Sequence, residues 1–139
     1  MVTINSCDFG TGTSGQVLTS NGSGVAPTFQ SLSLTSSWTD SSGTFTATAN
    51  TNYFLSAATT VTLPAAPSQG NFISIICDTA SAVVITANAG QKIRLGTSLS
   101  VTAGTCSNTN QGDSIQLIYR AADTTWITFN SPTGGWTVT

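Results

Sequence analysis

The sequence predicts an all-β fold, an antiparallel β-sandwich or barrel-like domain over residues 36–139, preceded by a short β-ribbon within residues 1–35. Three observations carry this expectation. Apolar residues never keep a spacing of i, i+3, i+4, i+7 for three turns, so no amphipathic helix is marked. Thr and Ser together make up about a third of the 139 residues, and Thr, like the frequent Val and Ile, favours strands. Turn chemistry interrupts the apolar bursts about every 8–12 residues, the rhythm of a sandwich or barrel.

The stretch over residues 53–95 is the centre of this pattern and reads as a β-meander. Thr60-Val61-Thr62-Leu63 alternates with period two, which turns Val61 and Leu63 toward a core and both threonines outward. Pro64 and Pro67 end that strand, because proline has no N–H for a ladder. Phe72-Ile73-Ser74-Ile75-Ile76-Cys77 is apolar at nearly every position, as in a central strand covered on both faces. Val83-Val84-Ile85-Thr86 follows, then the turn Ala87-Asn88-Ala89-Gly90, then Gln91-Lys92-Ile93-Arg94-Leu95, with Ile93 and Leu95 inward and Lys92 and Arg94 outward.

Upstream, residues 1–35 are rich in Gly, Ser and Thr and poor in bulky side chains. Within them Gln16-Val17-Leu18-Thr19-Ser20 and Pro27-Thr28-Phe29-Gln30 form two short extended pieces joined by a turn that includes Asn21-Gly22, a hairpin signal. An isolated two-stranded hairpin is marginal in water, so this segment is expected to pack against copies of itself. Downstream, 99–102 predicts a short strand, 103–112 a polar loop, 113–120 a second strong strand, 126–129 its hairpin partner and 136–139 a terminal strand.

Composition excludes several functions. Charged residues make up 6% of the chain, against roughly 25% in an average soluble protein. Three cations cannot form the basic stripe that phosphates require, which argues against nucleic acid as a partner. No window holds the roughly 20 apolar residues of a membrane span, so membrane insertion is not expected. The start, Met1-Val2-Thr3-Ile4-Asn5-Ser6-Cys7, lacks the layout of a secretory signal, so the chain reaches the outside by another route or is a piece of something longer. Three cysteines, Cys7, Cys77 and Cys106, cannot all pair within one chain. Cys77 reads as a small core residue, with a Cys77–Cys106 bridge as the alternative.

Catalysis finds little to work with. There is no His and no Glu, and the five acids are Asp8, Asp40, Asp78, Asp113 and Asp123. Asp113 and Asp123 sit where turns want a side chain that bonds nearby backbone. Without a His or a suitable Lys base no serine is marked as a nucleophile. No catalytic residue, cofactor or metal is therefore expected. Aromatic residues remain: exposed Trp and Tyr offer flat faces on which sugars stack, with amides and hydroxyls placing hydrogen bonds.

Gly12 to Gln30, GTSGQVLTSNGSGVAPTFQ, resembles a module that recurs in bacteriophage tail fibres and related trimeric surface fibres just before a globular tip. The later TVTLPAAPSQGNFISI, VVITANAGQKIRLG, QGDSIQLIYRAADTTWITF and GGWTVT resemble the β-rich tip domains of such fibres. The resemblance covers most of the chain and implies a parallel homotrimer, with residues 1–35 as a shaft and 36–139 as a head. It implies an extracellular place, on a virion tail fibre or a bacterial surface, and a cell-surface glycan as partner. On that reading the ligand-binding candidates are Trp38, Tyr53 and Trp126, which would stack on sugars, with a core or subunit-contact role as the alternative for Trp126, and Lys92 and Arg94, which would meet acidic sugars or else form trimer contacts. The alternatives are a purely structural module that trimerises and caps a fibre and, more remotely, a fibre-borne depolymerase.

Overall fold

The computed structural model describes residues 11–31 and 37–139. Within the chain two compact units separate, Met1–Thr35 and Ser36–Thr139.

In the first unit β1 (Gln16–Thr19) pairs antiparallel with β2 (Thr28–Ser31), in a register that sets Gln16 opposite Ser31 and Thr19 opposite Thr28. Asn21 closes the loop between them. Its amide donates to the Ala26 carbonyl at 2.8 Å and to Thr28 Oγ1 at 3.1 Å. Gly22 sits at φ 104°, a backbone conformation that side chains oppose. Val17 and Leu18 both stay exposed.

The second unit is all-β, two sheets around one core. Its strands come in coils that alternate between the sheets. The first coil is β3 (Trp38–Ser41) and β4 (Phe45–Thr46), the second β5 (Thr51–Leu55) and β6 (Thr59–Thr62), the third β7 (Phe72–Cys77) and β8 (Val83–Thr86). Then come β9 (Lys92–Leu95), β10 (Ser98–Leu99), β11 (Thr105–Asn108) and β12 (Ser114–Arg120). A 3₁₀ turn at Ala121–Asp123 leads to β13 (Thr125–Thr128), and β14 (Thr137–Val138) ends the unit. One sheet has seven strands in the order β10-β9-β13-β12-β7-β5-β3, the other five in the order β14-β11-β8-β6-β4.

This corrects the expected antiparallel meander. Strands β3, β5 and β7 run parallel to one another, as do β4, β6 and β8, and β9 runs parallel to β13. Parallel neighbours need a crossover, and here the strand in the opposite sheet serves as one. The sequence offers a physical reason. None of the links between successive strands over residues 53–95 is a two-residue Asn-Gly or Asp-Gly turn, which would fold a strand back on its predecessor. Antiparallel pairing takes over only in the second half, where β11 lies on β8 and β12 on β7.

Alternation decides what is buried. Along β7, Ile73, Ile75 and Cys77 enter the core while Phe72, Ser74 and Ile76 stay half-buried on the outer face. The strand is central, but the sandwich covers it on one side rather than both. The expected polar loop after residue 103 contains β11, whose Cys106 and Asn108 point inward. Apart from Cys106, every residue of this strand is polar, so its hydropathy alone does not mark it.

Cys77 and Cys106 are both buried free thiols. Burial, with the nearby Asp113 charge, pushes the Cys77 thiol up to about 11. Burial, with Cys77 itself, pushes Cys106 up to about 12. At neutral pH neither forms the thiolate that reacts.

Gln91 joins the two sheets beyond the C-terminal end of β12. Its side chain is buried, accepts the Trp126 indole N–H at 2.9 Å and donates to the Pro64 carbonyl at 2.8 Å. Trp126 belongs to the seven-stranded sheet, and Pro64 follows β6 of the other.

Two outcomes follow. Gln91→Ala strands a buried indole N–H and opens a gap, so urea denaturation should register a loss of about 2–4 kcal/mol. In a Cys7→Ser background, a thiol-specific reagent at pH 8 should label Cys77 and Cys106 at the rate of global unfolding and leave the folded protein unreacted.

Candidate functional site

The outer face of the seven-stranded sheet is where functional side chains can gather, because its inner face is core. Register aligns Trp38 of β3 with Asn52 of β5, Asn52 with Ser74 of β7, and Ser74 with Gln116 of β12. All four take the outward side of the pleat in one row across the strands, although Asn52 is covered there, at 4% exposure. The Gln116 amide donates to Ser74 Oγ at 2.9 Å, and the Asn52 amide to the Ser37 carbonyl at 2.9 Å. Trp38 is 45% exposed and stacks on Phe54, with ring centroids 4.4 Å apart and planes 27° apart. Phe54 thus holds the indole in place while leaving much of its surface to solvent.

A bulge builds the second wall. The Phe129 N–H donates to the Gln116 carbonyl at 3.1 Å, and Thr133 and Ser114 exchange backbone hydrogen bonds at 3.0 and 3.2 Å. Between those two ties β12 advances from 116 to 114 while its partner runs from 129 to 133. Asn130-Ser131-Pro132, three residues opposite the single Ile115, leave the ladder, as bulges beside binding sites commonly do. They line a groove of about 400 Å³ together with Trp38, Asn52, Ser74 and Gln116. No charged side chain lines it. On its other side the same Asn130-Ser131-Pro132 segment borders a larger cavity of about 870 Å³, which Leu95, Phe129 and Trp136 also line.

Asp113 anchors the bulge. Its Oδ2 accepts from the Asn108 amide at 2.6 Å, the Gly135 N–H at 3.0 Å and the Asn110 amide at 3.3 Å. These bonds, Asn108 first, hold its carboxyl below the usual carboxylate range. Gly134, at φ 90°, lies so close that a Cβ there would come within 1.8 Å of the Asp113 carboxyl carbon. Glycine is required at that position on both counts.

The residues singled out from sequence separate into three groups. Trp38 forms one wall of the groove. Tyr53 and Trp126 are corrections as surface platforms: Tyr53 is 4% exposed and Trp126 fully buried. The Tyr53 hydroxyl accepts the Thr48 N–H at 2.8 Å, and its ring packs beside Phe45. Period-two alternation turned Tyr53 inward and its neighbours Asn52 and Phe54 outward. Lys92 and Arg94 are outward and half-buried on β9, five strand steps or roughly 24 Å from β3. They do not line the groove, whose near side at Gln116 of β12 is two strand steps from β9. Asn52, Ser74 and Gln116 carry no mark in the sequence, since only the register across three strands aligns them.

Among the described residues, no three of His, Cys, Asp and Glu gather as a metal site. No helix there is long and apolar enough to cross a membrane.

No family model matches the chain, and no curated protein does. A solved structure titled "Structure of a chaperone-substrate complex" is similar over 63% of this chain, at 16% identity and a TM-score of 0.43. The matched region is 14% of that structure's chain.

The anchoring of the bulge is testable by pH. The folded-state pKa of Asp113 lies below its ordinary 3.8, so its stabilisation is present above about pH 4 and is lost as pH falls through the lowered value. Between pH 5 and pH 2, wild-type melting temperature should drop more steeply than that of Asp113→Asn. Gly134→Ala should cost about 1–3 kcal/mol in chemical denaturation at neutral pH, from backbone strain and overlap with Asp113.

Proposed function

We propose that this chain is the tip of a trimeric surface fibre, of the bacteriophage tail-fibre kind or a similar bacterial adhesin. It binds cell-surface glycan in the groove between Trp38 and the Asn130-Ser131-Pro132 bulge, and it catalyses no reaction. One observation carries the reading: an exposed, buttressed indole lines a groove together with amides, hydroxyls and three isoleucines, and no charged side chain lines it. The apolar C–H face of a sugar stacks on an indole, while Asn, Gln and Ser meet its hydroxyls. Such a groove suits a neutral saccharide, because no charge is desolvated without a partner.

Trimerisation supports the same reading from the other unit. The β1–β2 hairpin leaves Val17 and Leu18 exposed, and a two-stranded ribbon is marginal alone. Packing three copies would cover those side chains and form a shaft, with residues 36–139 as the head. The low charge of the chain suits such contacts, whose cores are depleted of charged residues. Three grooves on one rigid body raise avidity well above the strength of each site. An extracellular location follows from the role.

Glycan-array binding by the wild type should fall about tenfold or more in Trp38→Ala, with an unchanged circular dichroism spectrum and melting temperature. Binding that survives this substitution removes the groove from the assignment. Binding to no glycan and no host cell by a folded trimer leaves a purely structural capping role. Light scattering should return three times the 14.2 kDa chain mass, and a monomer contradicts the fibre reading altogether.

A further inference from the structure

The three cations of the chain, Lys92, Arg94 and Arg120, collect at one corner of the seven-stranded sheet. Register sets Arg120 opposite Thr125 and Thr125 opposite Lys92, so the two cations are two strand steps apart, roughly 10 Å. Arg94 lies two residues further along β9, opposite Ile127. One acid answers them. Asp123 accepts from Arg120 Nε at 2.9 Å and from its terminal nitrogen at 2.5 Å. These bonds hold the Asp123 carboxyl below its usual range, and Arg94 adds a smaller effect, which places Arg94 in the same field. Arg120–Asp123 is the one ion pair among the described residues, so Lys92 and Arg94 make no direct ion pair there and the corner holds three cations against one acid. A chain of net charge -2 thus carries a local excess of positive charge.

Beside these cations lies a hollow of about 270 Å³ lined by Ile118, Ile127, Phe129, Gln69 and Arg120. Phe129 is 64% exposed, an unusual position for so large an apolar ring. The Gln69 Oε1 accepts the Ala121 N–H at 2.8 Å, which orients the amide and leaves its NH2 to donate. Apolar floor and amide donor therefore occur together; of the cations Arg120 lines the hollow, while Lys92 and Arg94 stand one strand beyond its Ile127, on β9.

We propose that this corner is a second glycan subsite, for an acidic sugar that carries an N-acetyl group. The carboxylate meets Arg94 and Lys92, the acetyl methyl rests on Ile118, Ile127 and Phe129, and the acetyl carbonyl accepts from the Gln69 amide. A bare phosphate would use the cations and leave the apolar floor idle. A neutral sugar would do the reverse. A fatty chain needs a longer channel than this hollow offers. The inference rests on the reading of residues 36–139 as a glycan-binding head, and it adds a charge-selective site whose cations on β9 stand five strand steps from Trp38 of β3 and two from Gln116 of β12.

The test uses the full chain and the methyl glycoside of N-acetylneuraminic acid, titrated calorimetrically at low ionic strength. N-acetylglucosamine, glucuronic acid and inorganic phosphate serve as comparisons, since each keeps only part of the chemistry. The acidic N-acetyl sugar should bind at least about tenfold more tightly than all three, and Arg94→Gln should remove about tenfold of that affinity. Phe129→Ser should weaken it several-fold, and Trp38→Ala should leave it unchanged. Equal binding of glucuronic acid or phosphate, or affinity indifferent to Arg94→Gln, overturns the subsite. Neutral glycans held through Trp38 with no binding of N-acetylneuraminic acid overturn this inference alone. The absence of all glycan binding overturns the glycan reading of the head and the subsite with it.

Discussion

Leu55, Val61, Ile75 and Ile85 come from four strands of two successive coils, β5, β6, β7 and β8, yet they belong to one buried cluster. Each strand must bury one face, and from β3 to β9 the chain satisfies this by crossing to the other sheet after each strand instead of turning back beside it. The rest of the larger unit depends on that crossing. It makes the first half of each sheet parallel and adds one strand to each sheet per coil. Side chains that alternate along a strand are left with one destination each, the shared core or the outer face.

Two polar clasps finish what the apolar cluster begins. Gln91 lies beyond one end of β12 and links Trp126 to the carbonyl of Pro64. Asp113 stands just before the other end. Its side chain holds Asn108 of β11 and the N–H of Gly135, and its backbone carbonyl accepts from Cys77 of β7 at 2.9 Å. Both clasps tie one sheet to the other where apolar side chains run out. The second also fixes the segment that walls the groove. Stability and binding geometry therefore share a residue, and acid that loosens one loosens the other.

The outer face of the seven-stranded sheet divides by chemistry. Toward β3 the groove is lined by an indole, amides and hydroxyls and by no charged side chain; toward β9 stand the three cations, of which Arg120 lines an apolar hollow. With only eight formally charged side chains on the whole chain, such segregation gives each region a distinct preference. Solubility rests on Ser, Thr, Asn and Gln, the same side chains that can offer hydrogen bonds to a sugar.

Much of the fold is legible in the sequence, because period two is a local property. Alternation at Val61, Leu63, Ile93 and Ile115 states which side chains turn inward, and turn residues place most strands. Tyr53 and Trp126 carried the same information, for each alternates inward with its strand, and their chemistry as possible sugar platforms obscured it. What the residues determined by themselves is therefore the all-β class, most strand positions and most of the inward set. Which strand lies beside which was decided only in three dimensions, since pairing and register depend on how two sheets share one core. That pairing aligned Trp38 with Asn52, Ser74 and Gln116, pushed Asn130-Ser131-Pro132 out of the ladder, and brought Arg120 to Lys92 and Arg94. Residues so distant along the chain leave no local pattern, because only hydrogen bonds between strands bring them together.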